Sequence, residues 1–347
     1  MALQLCGDYG KAVLDAVDVY IIPRINPDGA FHACRTSPTT GEDMNRDYLR
    51  THNAEICAVI AAYNLFLPEI CIDGHEKYGR VLCTGEDLCT DMELQVGAGS
   101  LNHPAEMTQL AMNMALQALE NGRSLGLRGH FYSKLASAAG GSAGSSYFGT
   151  RNSLSFLVET PGQVALGMNF MERRVLGHYV LASTVIDYAV EHTREVMETV
   201  HANREEMIRK GSVYDKNNVI VLEHEKGETG HWATPLIHVP TGQVTNPNHA
   251  AAYTEHVTAL HCRPRPTAYI LPKGLANEAE ILRVVGNHAI PYYVLKPGSQ
   301  VKLRQYMQDD AQISLSEESS VRFEQGAYVF PNTVSSAVLS VIMEPDF

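Results

Sequence analysis

Residues 68–76, PEICIDGHE, and 153–160, SLSFLVET, are short apolar runs, and each closes on ionisable side chains. Around and between them lie helical patterns: AEICAVIAAYNLF (54–66), HPAEMTQLAMNMALQALENG (103–122) and a long amphipathic stretch from Arg173 to Gly211 with room for one break. A further apolar run, DVYIIPRI (18–25), reads as a buried strand. Strands alternating with helices fold as an α/β layer structure, here a mixed, mainly parallel sheet flanked by helices. In such sheets ligands collect at the carboxyl ends of the strands. His75, Glu159 and the polar loop after DVYIIPRI all fall at that rim. In the helix at 103–122, Asn102 is the expected N-cap, and Gly122 the residue just past its end.

Composition narrows the partners. The formal net charge is -12, which argues against nucleic acid and against an anionic membrane surface. No apolar run is long enough to span a bilayer, and no signal-peptide pattern opens the chain. The seven cysteines are odd in number and follow no zinc-ribbon spacing. Cys57 and Cys71 read as small core residues.

After Lys210 and Gly211 the chain becomes strand-rich, with many Pro and Gly turns. RPTAYILP (265–272), NEAEILRVVGNHAI (277–290) and PYYVLKP (291–297) form a strand-helix-strand unit. AYVFP (327–331) and AVLSVIMEP (337–345) read as two closing strands. The expected division is therefore 1–211 as an α/β domain and 212–347 as a β-rich α+β accessory domain.

The loop RINPDGAFHACRTSPTTGEDMNRDYLR (24–50) gathers arginines, asparagines and carboxylates among residues that fix the backbone. Arginine forks recognise carboxylates and hold developing charge. A carboxylate such as Glu159 at a strand end either reaches water, pairs with a cation, or works as a base.

INPDG, the downstream Arg35, DMNRD, IDGHE and SLSFLVETPG occur in the order and spacing of the M14 zinc carboxypeptidases, which residues 1–211 resemble. The resemblance implies a Zn2+ enzyme that hydrolyses the C-terminal bond of a peptide, or peptide-like substrate, carrying a free carboxylate. It implies His75 as a zinc ligand and Glu159 as the general base that activates the metal's water. Arg35 is then the oxyanion stabiliser, and Asn45 and Arg46 clamp the substrate carboxylate. Asn26 and Asp28 shape the turn. The position of the family's substrate-covering tyrosine falls on Ala136, with Tyr132 and Tyr147 close by to replace it. The small residues Ala143 and Gly144 imply a specificity pocket without a charged partner.

The family's first two zinc ligands, a His-x-x-Glu motif ahead of NPDG, have no place in this sequence. His52 and Glu55, His103 and Glu106, and His192 and Glu195 have that spacing but stand elsewhere in the chain. The expectation is that this chain lacks an upstream segment bearing the motif and is inactive as given. Localisation stays open, a secreted or cell-envelope place following only from a signal peptide upstream. Two other functions fit the same motifs: a non-catalytic protein that binds peptide C-termini, and an M14-related deacylase of N-acyl amino acids.

Overall fold

The computed structural model describes residues 1–77, 88–96, 102, 104–132, 141–162, 171–226, 229–238, 243–254, 257–309, 312–333 and 338–344. The first half runs α1 (Ala2–Leu5), α2 (Asp8–Leu14), α3 (Pro27–Phe31), a 3-10 turn (Met44–Arg46), α4 (Ala54–Phe66) and β1 (Ile70–Lys77). It continues through β2 (Leu88–Cys89), β3 (Met92–Val96), α5 (Ala105–Ser124), β4 (Gly129–Phe131), α6 (Gly144–Thr150) and β5 (Leu154–Pro161). Two long helices follow, α7 (Met171–Glu191) and α8 (Thr193–Ser212), broken at His192. The central sheet has the order β1-β5-β3-β4. The pairs β1/β5 and β3/β4 are parallel and β3/β5 is antiparallel, the mixed, mainly parallel sheet that the sequence implies.

The second half is rich in antiparallel strands. They run β6 (Val219–Lys226), β7 (Thr229–His238), β8 (Val244–Thr254), β9 (Val257–Pro264) and β10 (Ala268–Pro272). Helix α9 (Glu278–Asn287) precedes β11 (Tyr293–Leu295), β12 (Ser299–Leu303), β13 (Tyr306–Asp309), β14 (Gln312–Leu315), β15 (Ser319–Phe323) and β16 (Ala327–Pro331). The described chain closes on α10 (Val338–Met343). No helix among the described residues is long and apolar enough to cross a membrane.

The two faces of the central sheet differ. Met92, Leu94, Val96, Phe131, Leu154, Phe156 and Val158 alternate onto one face and meet α5, α7 and α8 in a single core. Complete burial of each such side chain stabilises the fold by about 1.5–3 kcal/mol. The opposite face carries Asp73, His75 and Lys77 on β1, Glu159 on β5, Glu93 and Gln95 on β3, and His130 on β4, by the period of two along each strand. A covered α/β sheet is ordinarily apolar on both faces. The polar face at the strand ends is therefore the candidate functional side.

Four elements differ from the sequence reading. Residues 18–25 form no strand, and Tyr20, Ile21 and Ile22 stay 54%, 46% and 49% exposed. Apolar character alone does not supply the ladder partner that a strand needs, and β1 pairs only with β5 among the described strands. The run at 337–345 forms helix α10 over its described residues, since a short apolar run fits either element. Asn102 does not cap α5, whose N-cap is Pro104. Its side chain instead exchanges two hydrogen bonds with the Val221 backbone, at 3.0 and 2.8 Å, and so ties α5's entry to β6. Gly122 lies inside α5, where an added Cβ would stand 3.0 Å from Met92 Sδ, so the glycine serves packing against β3 rather than helix termination.

A second core crosses the position where composition changes. Met44, Tyr48, Ile56, Ile60, Tyr63 and Tyr147 from the first half pack with Tyr269, Val285, Ile290 and Phe330 from the second. Next to it, Thr51 holds a left-handed backbone, φ 55°. That conformation is rare for a β-branched residue and costs about 1–3 kcal/mol.

Candidate active site

The carboxyl ends of β1 and β5 bring His75 and Glu159 opposite each other as register partners. The row continues across the sheet. Glu93 of β3 is the partner of Glu159, and His130 of β4 is the partner of Glu93. Four ionisable residues thus line up on four adjacent strands. Sequence reasoning picked out His75 and Glu159 but missed Glu93 and His130. The alternation in MELQV, polar at 93 and 95 and apolar at 92, 94 and 96, was the available signal.

The His75 ring is fixed from one side. Its Nε2 lies 2.9 Å from Asp73 Oδ1 and 3.3 Å from Asn45 Nδ2. With Nε2 directed at the carboxylate, Nδ1 is the nitrogen left to serve as a ligand. Asp73 is buried, and its Oδ2 lies against Gly144, where a Cβ would come within 2.7 Å of that oxygen. Only glycine allows this approach.

Glu159 is mostly buried, and its Oε2 has no hydrogen-bond partner among the described residues. Burial raises its pKa above the ordinary carboxylate value; the His75 and Lys77 charges oppose that rise, and those of Glu93 and Asp73 add to it. Burial by itself would lower the pKa of His75, but the Asp73 charge and hydrogen bond and the Glu159 charge outweigh it, so His75 is raised. The carboxylates thus favour positive charge at this spot. A negative pocket, an orphaned buried oxygen and an oriented imidazole fit a bound cation. Lys77 is ion-paired with Glu93 and also contacts Thr90 at 3.3 Å, so a charged pair flanks Glu159. That charged pair comes from the sheet itself and not from the loop at Ala143 and Gly144.

The polar loop reaches the same place. Asn26 caps α3 by accepting from Gly29 N at 2.8 Å, a turn-shaping role. Arg35 is exposed and pairs with Asp43 through Nε and Nη2, both at 2.9 Å. Its charge acts on His75 and on Tyr132. Asp43 Oδ1 caps the 3-10 turn by accepting from Asn45 N at 2.9 Å. Asn45 Oδ1 accepts from Gly144 N at 2.8 Å, which ties the loop to α6, and its Nδ2 lies beside the His75 ring. Arg46 is exposed, with Nη1 donating to Asn45 O at 2.6 Å. Tyr132, half-buried just beyond β4, has its pKa raised by burial and by the Glu159 and Glu93 charges, against the opposing Arg46 and Arg35 charges. Arg35, Asn45, Arg46, His75, Tyr132 and Glu159 therefore share one locale. Tyr147 does not join them: it is fully buried, and its hydroxyl lies 2.9 Å from His288 Nδ1. Ala136 lies outside the described residues.

The other His-x-x-Glu pairs have different partners. His192 and Glu195 lie 3.5 Å from each other, and the His192 ring lies tilted against Tyr188, with centroids 4.3 Å apart. His52 is held between Glu42 at 3.4 Å and Glu280 at 3.5 Å. His103 lies outside the described residues. Among the described residues, Glu42, Asp47 and His52 form a group with metal-ligand spacing. Asp47 is fully buried there, and its two oxygens accept from His52 N, Asn53 N and Asn53 Nδ2 at 3.0, 2.7 and 2.9 Å. That carboxylate builds the turn.

No family model matches the chain. Among curated proteins it is similar to the probable carboxypeptidase 2 of Trichophyton verrucosum (strain HKI 0517), 25% identical over 371 residues, covering 98% of this chain and 70% of that protein. It is also similar to carboxypeptidase 2 of Trichophyton rubrum, 26% identical over 383 residues, covering 99% of this chain and 68% of that protein. Among solved structures, a metallo-carboxypeptidase from Pseudomonas aeruginosa in complex with (2-guanidinoethylmercapto)succinic acid aligns with a TM-score of 0.41 and 21% identity, over 54% of this chain and 49% of that one. A metallo-carboxypeptidase from Burkholderia cenocepacia aligns with a TM-score of 0.39 and 22% identity, over 53% of this chain and 50% of that one. The chain thus spans about half the length of those solved structures. Along nearly its whole length the chain is thus similar in sequence to fungal carboxypeptidases, in agreement with the M14 metallocarboxypeptidases that its motifs resemble.

Proposed function

We propose that this protein is a zinc-dependent carboxypeptidase that removes the terminal residue of a peptide with a free C-terminal carboxylate. The observation that carries this reading is the facing of His75 and Glu159 across adjacent strand ends, with Asn45 3.3 Å from the His75 ring. His75 Nδ1 supplies one ligand, and a catalytic zinc takes three from protein. When bound, zinc would polarise the scissile carbonyl and lower the pKa of a water.

The remaining steps belong to this chain's side chains. Glu159 Oε2, buried and without a hydrogen-bond partner among the described residues, accepts the proton of the attacking water and returns it to the leaving amine. Its raised pKa moves it toward the working pH of such a base. Arg35 supports the oxyanion that develops on the carbonyl. Arg46, exposed at the rim beside Asn45, takes the substrate's carboxylate, and Asn45 helps to orient it. Tyr132 covers the bound residue. Residues 212–347 act as an accessory domain bearing on the site loop.

The test is hydrolysis of an N-acetylated dipeptide and of its C-terminal amide, with added zinc and after chelation. Zinc-dependent cleavage confined to the free acid supports the reading. Free-acid binding with tightly held zinc and no cleavage would favour the non-catalytic binder instead.

A further inference from the structure

We propose that α9, in the second half of the chain, is a positioning element for the carboxylate end of the site, acting through Arg283, Asn287 and His288. The inference rests on the reading that Arg46 and Asn45 receive the substrate carboxylate.

Three consecutive carbonyls just after those residues are held from α9 and its C-cap. His288 Nε2 lies 3.0 Å from Leu49 O. Arg283 Nη2 donates to Arg50 O at 2.8 Å, and Arg283 Nη1 donates to Thr51 O at 2.7 Å. The Thr51 hydroxyl takes two more, from Arg283 Nη1 at 3.0 Å and Asn287 Nδ2 at 2.8 Å. Thr51 is the residue with the left-handed backbone, and it is 1% exposed. Such a conformation persists where surrounding groups over-determine it. Here the over-determining groups come from more than 230 residues further along the chain.

The same helix end reaches Asn45 by a second route. His288 is 1% exposed. With Nε2 donating to Leu49 O, its Nδ1 accepts from the Tyr147 hydroxyl at 2.9 Å. Tyr147 belongs to α6, and the first residue of α6, Gly144, donates its N–H to Asn45 Oδ1 at 2.8 Å. Both supports of Asn45 and Arg46, the turn that follows them and the helix that faces them, are therefore fastened to one end of α9. A clamp for a planar carboxylate depends on such fixed geometry, because a small misplacement forfeits orientation.

The experiment uses the 347-residue chain and needs no metal. Binding of an N-acetylated dipeptide and of its C-terminal amide is measured by calorimetry. Arg283→Met and His288→Ala are each expected to weaken free-acid binding ~10-fold while changing amide binding less than about twofold, on the scale where tenfold is about 1.4 kcal/mol. His288→Gln, whose side chain can donate to Leu49 O and accept from Tyr147, is expected to restore the parent preference. Equal weakening of acid and amide, or unchanged free-acid affinity in folded variants, would overturn the proposal. If Arg283→Met does not fold, the His288→Ala and His288→Gln pair decides alone. Arg46→Ala separates the two levels. A lost preference there with intact preference in the α9 variants sinks only this inference, and an intact preference in Arg46→Ala sinks the clamp reading as well.

Discussion

Glu159 faces His75 across β5 and β1 as its register partner, and Glu93 faces Glu159 from the other side. One carboxylate thus sits between an imidazole and a second carboxylate. The surroundings act on it in opposite senses: burial and Glu93 disfavour its charge, while His75 and Lys77 favour it. A base needs this balance, since a carboxylate held far down by ion pairing would not take a proton.

Glu159→Gln keeps the shape of the side chain and removes its capacity to accept a proton. In protein whose zinc site has its full set of ligands, kcat is expected to fall by at least ~10²-fold, with free-acid dipeptide affinity unchanged within about twofold. Steady-state kinetics beside calorimetry checks this. Retention of more than about a tenth of the activity would remove Glu159 as the base.

Arg46 and Arg35 are expected to fail differently. Arg46→Ala should raise KM for free-acid substrates far more than for their amides, because the carboxylate is present in ground and transition states alike. Arg35→Ala should lower kcat, because its partner charge develops mainly in the transition state. Identical kinetic profiles for the two variants would reverse or void the assignment.

Asp73 holds the Nε2 side of His75 at 2.9 Å. Asp73→Asn is expected to weaken zinc affinity ~10- to 100-fold, the usual effect of losing a partner that orients a ligand. Competition with a chromogenic chelator reads this without an activity assay. His75→Ala should abolish specific zinc uptake, and His192→Ala should leave it unchanged. Zinc lost on His192→Ala would instead make that surface pair the ligand motif.

His288 predicts an acid limit to stability. Burial lowers its pKa from 6.5 to about 4, against the opposing pull of its hydrogen bond to Leu49 O. The folded state therefore favours the neutral ring. As pH falls from about 6.5 toward 4, the unfolded chain binds a proton that the folded chain refuses, and stability is lost across that window. At about 1.4 kcal/mol per pH unit the loss approaches roughly 3 kcal/mol. Denaturant melts at pH 7 and pH 5 should show it, and His288→Gln should flatten that part of the profile. The same pH slope in His288→Gln would assign the effect to other groups.

The sequence by itself determined the kind of fold and pointed to His75 and Glu159 as candidate site residues. Period-two alternation and polar strand ends are local properties, so IDGHE and FLVETPG were legible as rim segments, and their order gave the family resemblance. The sequence could not give the register, which is a relation between strands distant in the chain. Only the sheet pairing joins Glu93 to Glu159 and His130 to Glu93. Nor could apolar character at DVYIIPRI show whether a neighbour offered it a ladder, and the segment remains exposed. The tertiary structure alone brought Arg283 and His288 onto the turn after Asn45 and Arg46. A strained threonine at 51 carries no mark in the sequence, because φ is set by the groups that grip it and not by the residue type.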